Sequence, residues 1–144
     1  MRLIGFNFKK ISAEKFFSGN GQVKINANIT LEDIIKIGDE ILKSKEELIS
    51  VSFTYTLDYQ KDFAKVEFSG NLILSVDPKQ VKEVLKEWKE KKIPEDFRMA
   101  VYNIILRKSN IKALFFEDEI GLPPHIQLPY FKKEESSNKD KNTL

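Results

Sequence analysis

The chain has 144 residues, of which 41% are hydrophobic, so it can fold as one domain around a single core and is not natively disordered. Its 24 basic and 22 acidic residues nearly cancel, without the basic excess that is typical of a dedicated nucleic-acid binder. It contains no cysteine, which excludes disulfides, thiolate metal sites and cysteine nucleophiles.

The sequence shows no sign of a membrane or secretory segment. No stretch approaches the roughly 18 consecutive apolar residues of a transmembrane helix, so we expect no membrane insertion. Residues 1–10 alternate between apolar and polar side chains, unlike the continuous apolar run of a secretory signal. We therefore expect a cytoplasmic protein. Its many Lys and Glu residues are typical of thermophile surfaces.

Alternating apolar and polar residues predict β-strands in the first half of the chain. Residues 3–10 have this period of two, and residues 23–29 repeat it after a turn-forming Ser-Gly-Asn-Gly cluster. Residues 48–59 are dense in β-branched and aromatic side chains. Residues 63–76 run back after a turn, with a bulge signal at Gly70. Together these segments predict a four-stranded antiparallel sheet with the strand order of a meander.

Residues 30–47 leave two interpretations open. Ile34, Ile37 and Ile41 are spaced as on a helix, behind a possible helix cap. Gly38 interrupts that pattern, and Ile35 together with Ile37 also fits an extended strand. We expect a short extended segment or a turn of helix here.

The second half predicts two helices. Asp77 and Pro78 are typical of an N-cap and a first helical position, and Pro94 separates the first helix from a longer second one. Gly121 supplies the stop of the second helix. The apolar residues at helical spacing are Val81, Val84, Leu85 and Trp88 in the first helix and Phe97, Val101, Ile104, Ile105, Ile111, Leu114 and Phe115 in the second.

The segment Ile120–Phe131, called the strap below, is rich in both proline and apolar residues. Its prolines keep it stiff and extended and remove backbone donors, so it is a poor strand. It can lie back over the core, or it can wall a groove and leave apolar surface for a partner. Residues 1–131 are then one domain, and the polar residues 132–144 are expected to be a disordered tail.

The predicted fold class is therefore α+β, with a four-stranded antiparallel sheet followed by two helices and a proline-rich C-terminal strap.

Catalytic and metal-binding patterns are missing from the sequence. His125, the only histidine, lies in a stiff proline-rich segment, and we expect an exposed or half-exposed side chain. Glu117, Asp118 and Glu119 point about 100° apart on a helix and cannot converge on one small substrate, so we expect a solvated helix end. No glycine pattern supports a phosphate-binding loop. We expect a non-enzyme with no catalytic residue, no metal site and no cofactor.

Aromatic residues of the third strand could in principle bind nucleic acid. Phe53, Tyr55 and Tyr59 have side chains that can stack on bases. The opposite face of this strand carries Ser and Thr instead of Lys and Arg, and the aromatic residues are more simply explained as core. We therefore expect no nucleic-acid partner.

Three short segments match motifs of a known family. Lys9–Glu14 resembles the family's Lys-Asp-Ile-Ser-Phe-Glu motif at the end of its first strand. Glu67–Leu74 lies where the family has an acidic residue, then a glycine-containing bulge, then apolar residues. Gly121–Phe131 resembles a Gly-Thr-Phe-Pro-Pro segment that follows a long helix. With the order of the elements along nearly the whole chain, these motifs resemble the SecB family of preprotein export chaperones.

This resemblance implies an ATP-independent holdase, a dimer of dimers that keeps non-native polypeptides soluble in long apolar grooves. The implied partners are such client polypeptides and further copies of this chain, as a dimer or a tetramer. The groove residues that we infer on this basis are Trp88, Phe115, Phe116, Leu122, Pro123, Pro124, Ile126, Leu128 and Phe131.

The family also docks its motor ATPase on acidic residues of the exposed sheet face. Glu14 and Glu67 keep this character here, whereas Lys10 stands where the family has aspartate. The departure argues against docking of that ATPase and leaves the binding function unaffected. The alternative function is a non-catalytic adaptor that binds one specific protein partner.

Overall fold

The computed structural model describes residues 1–16, 23–38, 46–60 and 62–133. Four strands come first, namely β1 (Arg2–Lys15), β2 (Ile25–Ile37), β3 (Glu47–Tyr59) and β4 (Ala64–Val76). Two helices follow, α1 (Pro78–Trp88) and α2 (Glu95–Glu119). The predicted α+β class is confirmed. The tail predicted to be disordered lies outside the described residues from position 134 onwards.

The strand order differs from the predicted meander. All four strands are antiparallel, and their order in the sheet is β1-β4-β3-β2, which is the order of a Greek key. The meander was wrong because alternation of apolar residues tells which face a side chain occupies and not which strand lies next to it. β1 and β2, neighbours in the chain, form the two opposite edges of the sheet.

β2 resolves the ambiguity of residues 30–37 in favour of the extended conformation. Its register shifts between Leu31 and Asp33, so one additional residue is inserted at that point. Leu31 and Ile34 are therefore both buried on the same face although they are three residues apart. The helical interpretation of this stretch was wrong, since Ile34 faces inward opposite Val51 and Ile37 faces outward opposite Leu48. Residues 39–45 of the ambiguous segment lie outside the described residues.

The two faces of the sheet have opposite character. Alternate residues of β3 and β4 form a fully apolar inner face, on which both helices pack. The outer face of the same strands carries mainly Ser, Thr and Asn side chains, together with Leu48 and Ile73, and no other element of the described chain covers it. The largest fully buried side chains of the inner face include Phe53, Tyr55, Leu57, Phe68, Leu72 and Leu74.

α1 begins where Asp77 and Pro78 predicted it, with Asp77 at the N-cap position and no side-chain capping bond. It buries Val81 and Val84 against the sheet. Trp88, in its last turn, donates its indole N–H to Asp33 of β2 over 3.2 Å. α1 thus packs at the β2 side of the inner face.

α2 buries every fourth residue along its length. Since four residues advance a helix by about 400°, this stripe rotates gradually around the axis instead of staying on one side. The helix consequently turns some of its apolar residues toward solvent in its second half, where Ile111 and Phe115 lie. The buried residues are Phe97, Val101, Ile105, Ser109, Ala113 and Glu117.

The end of α2 is a hydrogen-bonded Schellman turn, and it directs the chain back onto the sheet. Gly121 has a φ of +70°, and its N–H and that of Leu122 donate to the carbonyl groups of Asp118 and Glu117. Leu122 is then buried against the core. The predicted helix stop at Gly121 is confirmed.

Gly70 allows β1 to pass close to β4. β1 shifts register between Phe8 and Lys10, so the additional residue lies on β1 opposite Gly70 and not on β4 as the sequence indicated. A Cβ atom at position 70 would overlap the carbonyl oxygen of Asn7 and lie 2.9 Å from the Cα of Phe8. The bulge therefore requires glycine on the facing strand.

We expect Gly70→Ala to lower the free energy of unfolding by about 1–3 kcal/mol, because the β1 backbone must move to accommodate the methyl group. Gly5→Ala is the control, since a Cβ at Gly5 meets no atom within 4 Å, and we expect a change within about 0.5 kcal/mol. Urea denaturation of both variants measures the difference. Equal effects of the two substitutions would contradict the close approach at Gly70.

Candidate functional site

The second half of α2 presents apolar side chains to solvent. Ile111 is 66% exposed and Phe115 is 56% exposed, one helical turn apart on the same side. Both were predicted as part of the apolar stripe of this helix, and the structure places them on its outward side. Large apolar side chains in such positions are candidates for contact with a partner.

The exposed end of α2 continues inward as a chain of aromatic rings. Phe115 lies edge-on to Phe116, with ring centroids 5.2 Å apart, and Phe116 lies 6.2 Å from Phe68 of β4. Phe68 stacks on Tyr55 and contacts Phe8 of β1 at 5.5 Å. The surface at Phe115 is therefore supported by the rigid inner face of the sheet.

The strap is anchored at its beginning and exposed along the rest. Leu122 is buried, whereas Pro123 and Pro124 are exposed. The apolar side chains that follow become more exposed along the strap, and that of Phe131 reaches 86%. Those side chains are Ile126, Leu128, Tyr130 and Phe131.

His125 is buried, contrary to the exposed or half-exposed position that we expected. Its side chain is 4% exposed, and its Nδ1 lies 2.9 Å from Oε1 of Glu117. Its Nε2 lies 2.9 Å from Oδ1 of Asn110 and 3.3 Å from the hydroxyl of Tyr55. The prolines had suggested a surface position, but the Schellman turn folds the strap back beside α2 and brings the imidazole between helix and sheet.

Glu117 is also buried, so the solvated helix end that we predicted begins only at Asp118. The Glu117 side chain is 1% exposed, and its second carboxylate oxygen accepts a hydrogen bond from the hydroxyl of Tyr59. The rotation of the buried stripe around α2 brings this position inward in the last turn. Asp118 and Glu119 remain exposed.

His125, Glu117, Asn110, Tyr55 and Tyr59 form one buried polar network. The two tyrosines in it stay neutral hydrogen-bond donors. Burial raises the pKa of the Tyr55 hydroxyl, and the charge of Glu117 raises it further. Burial likewise raises the pKa of the Tyr59 hydroxyl, together with its hydrogen bond to Glu117. Tyr55 donates to Oδ1 of Asn110 over 2.8 Å. The network therefore joins β3, α2 and the strap through side chains that sequence reasoning had assigned to core or surface.

This network resembles an acid–base relay in its residue types, but a substrate cannot reach it. His125 and Glu117 are almost completely enclosed, and general acid–base catalysis needs contact with the reacting group. In the described ranges no group of three or more His, Asp or Glu side chains is placed to hold a metal ion. The network therefore ties the strap to α2 and β3.

The structure separates Trp88 from the other predicted groove residues. Trp88 is half-buried near the β2 edge, where its indole bonds Asp33 and the ammonium of Lys91 lies 4.5 Å from its ring. Phe116 lies beside β4, two strands away from β2. The remaining predicted residues lie on two elements. Phe115 and Phe116 belong to α2, and the strap carries Leu122, Pro123, Pro124, Ile126, Leu128 and Phe131.

The acidic residues predicted for docking lie among lysines on the outer face. Glu67 pairs with Lys10 of β1 at 2.7 Å and with Lys65 at 3.5 Å. The hydrogen bond from Lys10 lowers the pKa of Glu67, aided by the charges of both lysines and opposed by slight desolvation. Glu14 lies opposite Lys65 in the β1–β4 register. Charges of opposite sign thus alternate on this corner of the sheet.

The sequence contained weak signals for what was missed. Asn110 is a polar residue within the apolar half of α2, and the tyrosines Tyr55 and Tyr59 stand among the aliphatic inward-facing positions of β3. Tyrosine in a core normally requires a partner for its hydroxyl. That requirement could have indicated a buried polar network, although not which residues complete it.

No protein-family model matches this chain, and none of the curated proteins matches it in sequence. Among solved structures, the chain is similar to the SecB-like chaperone Rv1957 of Mycobacterium tuberculosis, determined in complex with a ChAD peptide from the Rv1956 HigA1 antitoxin. The similarity covers 93% of this chain and 92% of that one, with a TM-score of 0.49 and 14% sequence identity. It concerns the path of the backbone and not the residues of the site. In the described part of the chain, neither helix has the length and apolarity needed to cross a membrane.

We expect Tyr59→Phe to lower the free energy of unfolding by about 1–3 kcal/mol, because the buried Glu117 carboxylate loses a hydrogen-bond donor. Tyr102→Phe is the matched control. The Tyr102 hydroxyl is 3.5 Å from the carbonyl oxygen of Ile29 and only partly buried, so we expect a loss below about 0.5 kcal/mol. Thermal or urea denaturation compares them. A loss at Tyr59 no larger than that at Tyr102 would contradict the role of the network.

We expect Lys10→Met to raise the pKa of Glu67 toward its ordinary value. In the native protein this lowered pKa favours the folded state above the ordinary carboxyl range, and that contribution is lost as the pH falls through the lowered pKa. NMR titration of the Glu67 carboxyl group measures the shift. Lys36→Met, which breaks the 3.4 Å pair with Glu47, should leave Glu67 unchanged. An unmoved Glu67 titration in Lys10→Met would refute the pairing.

Proposed function

We propose that this protein is an ATP-independent chaperone of the holdase type, which binds apolar segments of non-native polypeptides. The observation that carries this proposal is the exposed apolar surface on the second half of α2 and on the strap. Ile111 and Phe115 contribute to it from α2, and Ile126, Leu128 and Phe131 from the strap. A folded domain without a partner for this surface would gain little from such exposure.

The strap runs back along the side of α2 that carries Asn110 and Glu117, whereas Phe115 lies about 150° around the helix from that side. The two elements therefore present separate apolar surfaces. His125 contacts both Glu117 and Asn110, which lie about two helical turns apart on α2. A client would contact one of these surfaces, or both if it extends around α2. Burial of about 500 Å² of apolar surface is worth on the order of 10 kcal/mol before the entropic costs of binding.

The proposed binding surface on α2 and the strap keeps the residues inferred from the sequence but gives them different roles. Phe115, Ile126, Leu128 and Phe131 offer exposed apolar contacts, with Pro123 and Pro124 keeping the backbone stiff and extended. Phe116 and Leu122 pack against the core and support these exposed side chains from inside the protein. Trp88, at the other side of the inner face, would contact only a client long enough to reach α1.

We propose that the functional unit is a homo-oligomer, a dimer or a tetramer. Apolar side chains at Leu3, Ile4 and Ile11 of the edge strand β1 are exposed in addition to those of α2. A single subunit therefore has more apolar surface than one groove requires, and a second copy would cover part of it. A role in protein export remains part of this proposal, with Glu14 and Glu67 as the docking face. Lys10 and Lys65 partly neutralise this acidic surface.

We expect the purified protein to suppress aggregation of a chemically denatured client on dilution, without any nucleotide, and to have the mass of a dimer or tetramer in light scattering. Phe115→Ser should reduce this suppression by about fivefold or more, because it removes an aromatic contact from the surface. Met99→Ser is the matched control: Met99 is 55% exposed on the same helix, about 24 Å from Phe115.

The alternative function, an adaptor for one specific protein, predicts a different result in the same assay. An adaptor would show one stoichiometric partner and no activity toward unrelated denatured clients. A monomer that fails to suppress aggregation would refute the holdase proposal. Equal losses in Phe115→Ser and Met99→Ser would place the binding surface elsewhere.

A further inference from the structure

The outward side of α2 carries one row of residues that no element of the described chain covers. Arg107, Ile111, Phe115 and Glu119 follow one another at intervals of four residues, and each is exposed. Residues four apart on a helix lie one above the other, about 40° apart around the axis. The row is therefore continuous, with a cation at one end, an anion at the other and two apolar side chains between them.

The charges at the two ends of this row are placed symmetrically about its midpoint, which lies at the level of Ala113. Arg107 and Lys108, the basic pair, lie five or six residues before Ala113, and Asp118 and Glu119, the acidic pair, lie five or six residues after it. All four side chains are exposed, and in the described ranges none of them forms an ion pair. The basic and acidic pairs are thus about 16 Å apart along the helix axis.

The centre of the row is apolar. Ile111 is 66% exposed and Phe115 is 56% exposed. Lys112 lies between them in the sequence, and its ammonium group lies 5.9 Å from the centroid of the Phe8 ring of β1. That contact directs the Lys112 charge toward β1 and away from the row. The outward face of α2 therefore offers an apolar contact bordered by one basic and one acidic pair.

A second copy of this chain complements this face when the two helices pack antiparallel. A twofold axis at the level of Ala113 brings each residue of one copy to the level of the residue equally far beyond Ala113 in the other copy. Ile111 of one copy then lies at the level of Phe115 of the other. The basic pair of each copy lies at the level of the acidic pair of the other, at both ends of the contact.

The same charges disfavour the parallel orientation. Parallel helices in register would place the basic pair of one copy beside the basic pair of the other, and the two acidic pairs beside each other. Like charges in an interface suppress the wrong arrangement. The pattern of charges therefore selects the antiparallel pairing.

The size of the face determines how strongly two copies can associate through it. Residues 107–119 form a face about 18 Å long and about 10 Å wide. A stable interface buries about 800 Å² on each partner, which is more than this face provides. Its ion pairs are exposed at the rim, so salt screens them. Two copies that meet through α2 alone therefore form a weak and reversible contact.

We propose that the face of α2 from Arg107 to Glu119 binds the same face of a second copy of this chain in the antiparallel orientation, with Ile111 against Phe115 and the basic pair against the acidic pair. This proposal rests on the proposed function, which includes a homo-oligomer, and assigns one of its interfaces. The second copy covers Phe115 and leaves the apolar side chains of the strap free. A client that binds Phe115 must then displace the second copy.

Reversal of one charged pair tests this contact. Arg107→Glu with Lys108→Glu leaves acidic residues at both ends of the face, and Asp118→Lys with Glu119→Lys leaves basic residues at both ends. We expect each double variant to associate with itself about tenfold or more weakly than the native chain. A mixture of the two should associate again, because every facing pair is then opposite in charge. Analytical ultracentrifugation between about 1 and 500 μM measures these affinities.

The matched control is Lys79→Glu with Lys82→Glu, which changes the net charge equally but on the exposed side of α1. We expect this variant to associate like the native chain. Mixed with the basic variant, it should not restore association to native strength.

The orientation of the helices is measured on a chain whose charges are unchanged. The chain has no cysteine, so a spin label at Asn103→Cys, an exposed position of α2, reports the distance between two copies. Antiparallel helices place the two labels about 30 Å apart along the axis, whereas parallel helices bring them within about 20 Å. The shorter distance, or a mixture of the two charge-reversed variants that stays dissociated, would overturn the proposal.

The suppression of client aggregation, measured on the same proteins, separates this interface from the proposed function. A native chain that forms the antiparallel pair but does not suppress aggregation refutes the holdase and leaves the interface. A native chain that suppresses aggregation, and whose self-association does not respond to either charge reversal, refutes only the α2 interface. Suppression together with association that follows the charges supports both.

Discussion

One helix is too narrow to cover the whole inner face of this sheet. Four strands about 4.8 Å apart give an inner face wider than the roughly 10 Å of a single helix, and α1 is short. α2 therefore crosses the face with a rotating stripe, burying Phe97 at one end and Glu117 at the other. The strap covers part of what remains. Phe115, on the outward side of α2, is left at the surface.

The polar network around His125 follows from the same arrangement. A strap that must cover an apolar face without joining a sheet needs a fixed attachment, and an imidazole with two hydrogen-bonding nitrogens supplies one. Buried polar groups are costly unless each is satisfied, so they allow few alternative positions of the strap. Within the described residues, Ser109 is the one buried side-chain polar atom without a partner. The network thus fixes the strap while leaving its distal part exposed.

Binding of non-native chains requires exposed apolar surface on a support that does not collapse. Here Phe115 stands on Phe116 and Phe68, which belong to the core, so its exposure does not depend on a loose segment. The outer face of the sheet is mostly polar. Glu67 is held between Lys10 and Lys65 there, and most of the outward side chains of β3 are Ser and Thr. The proposed function therefore concerns one side of the molecule only.

Local patterns in the sequence determined β3 and β4, the starts of both helices, the end of α2 and the face on which Val51, Phe53, Tyr55 and Leu57 lie. Those features depend on residues a few positions apart, and alternation, proline and glycine report them directly. Only the tertiary structure decided that β1 pairs with β4, that a bulge brings Leu31 and Ile34 to one face, and that Glu117 and His125 meet in the interior. Those features depend on contacts between segments distant in the chain, where a residue's own type says little about what surrounds it.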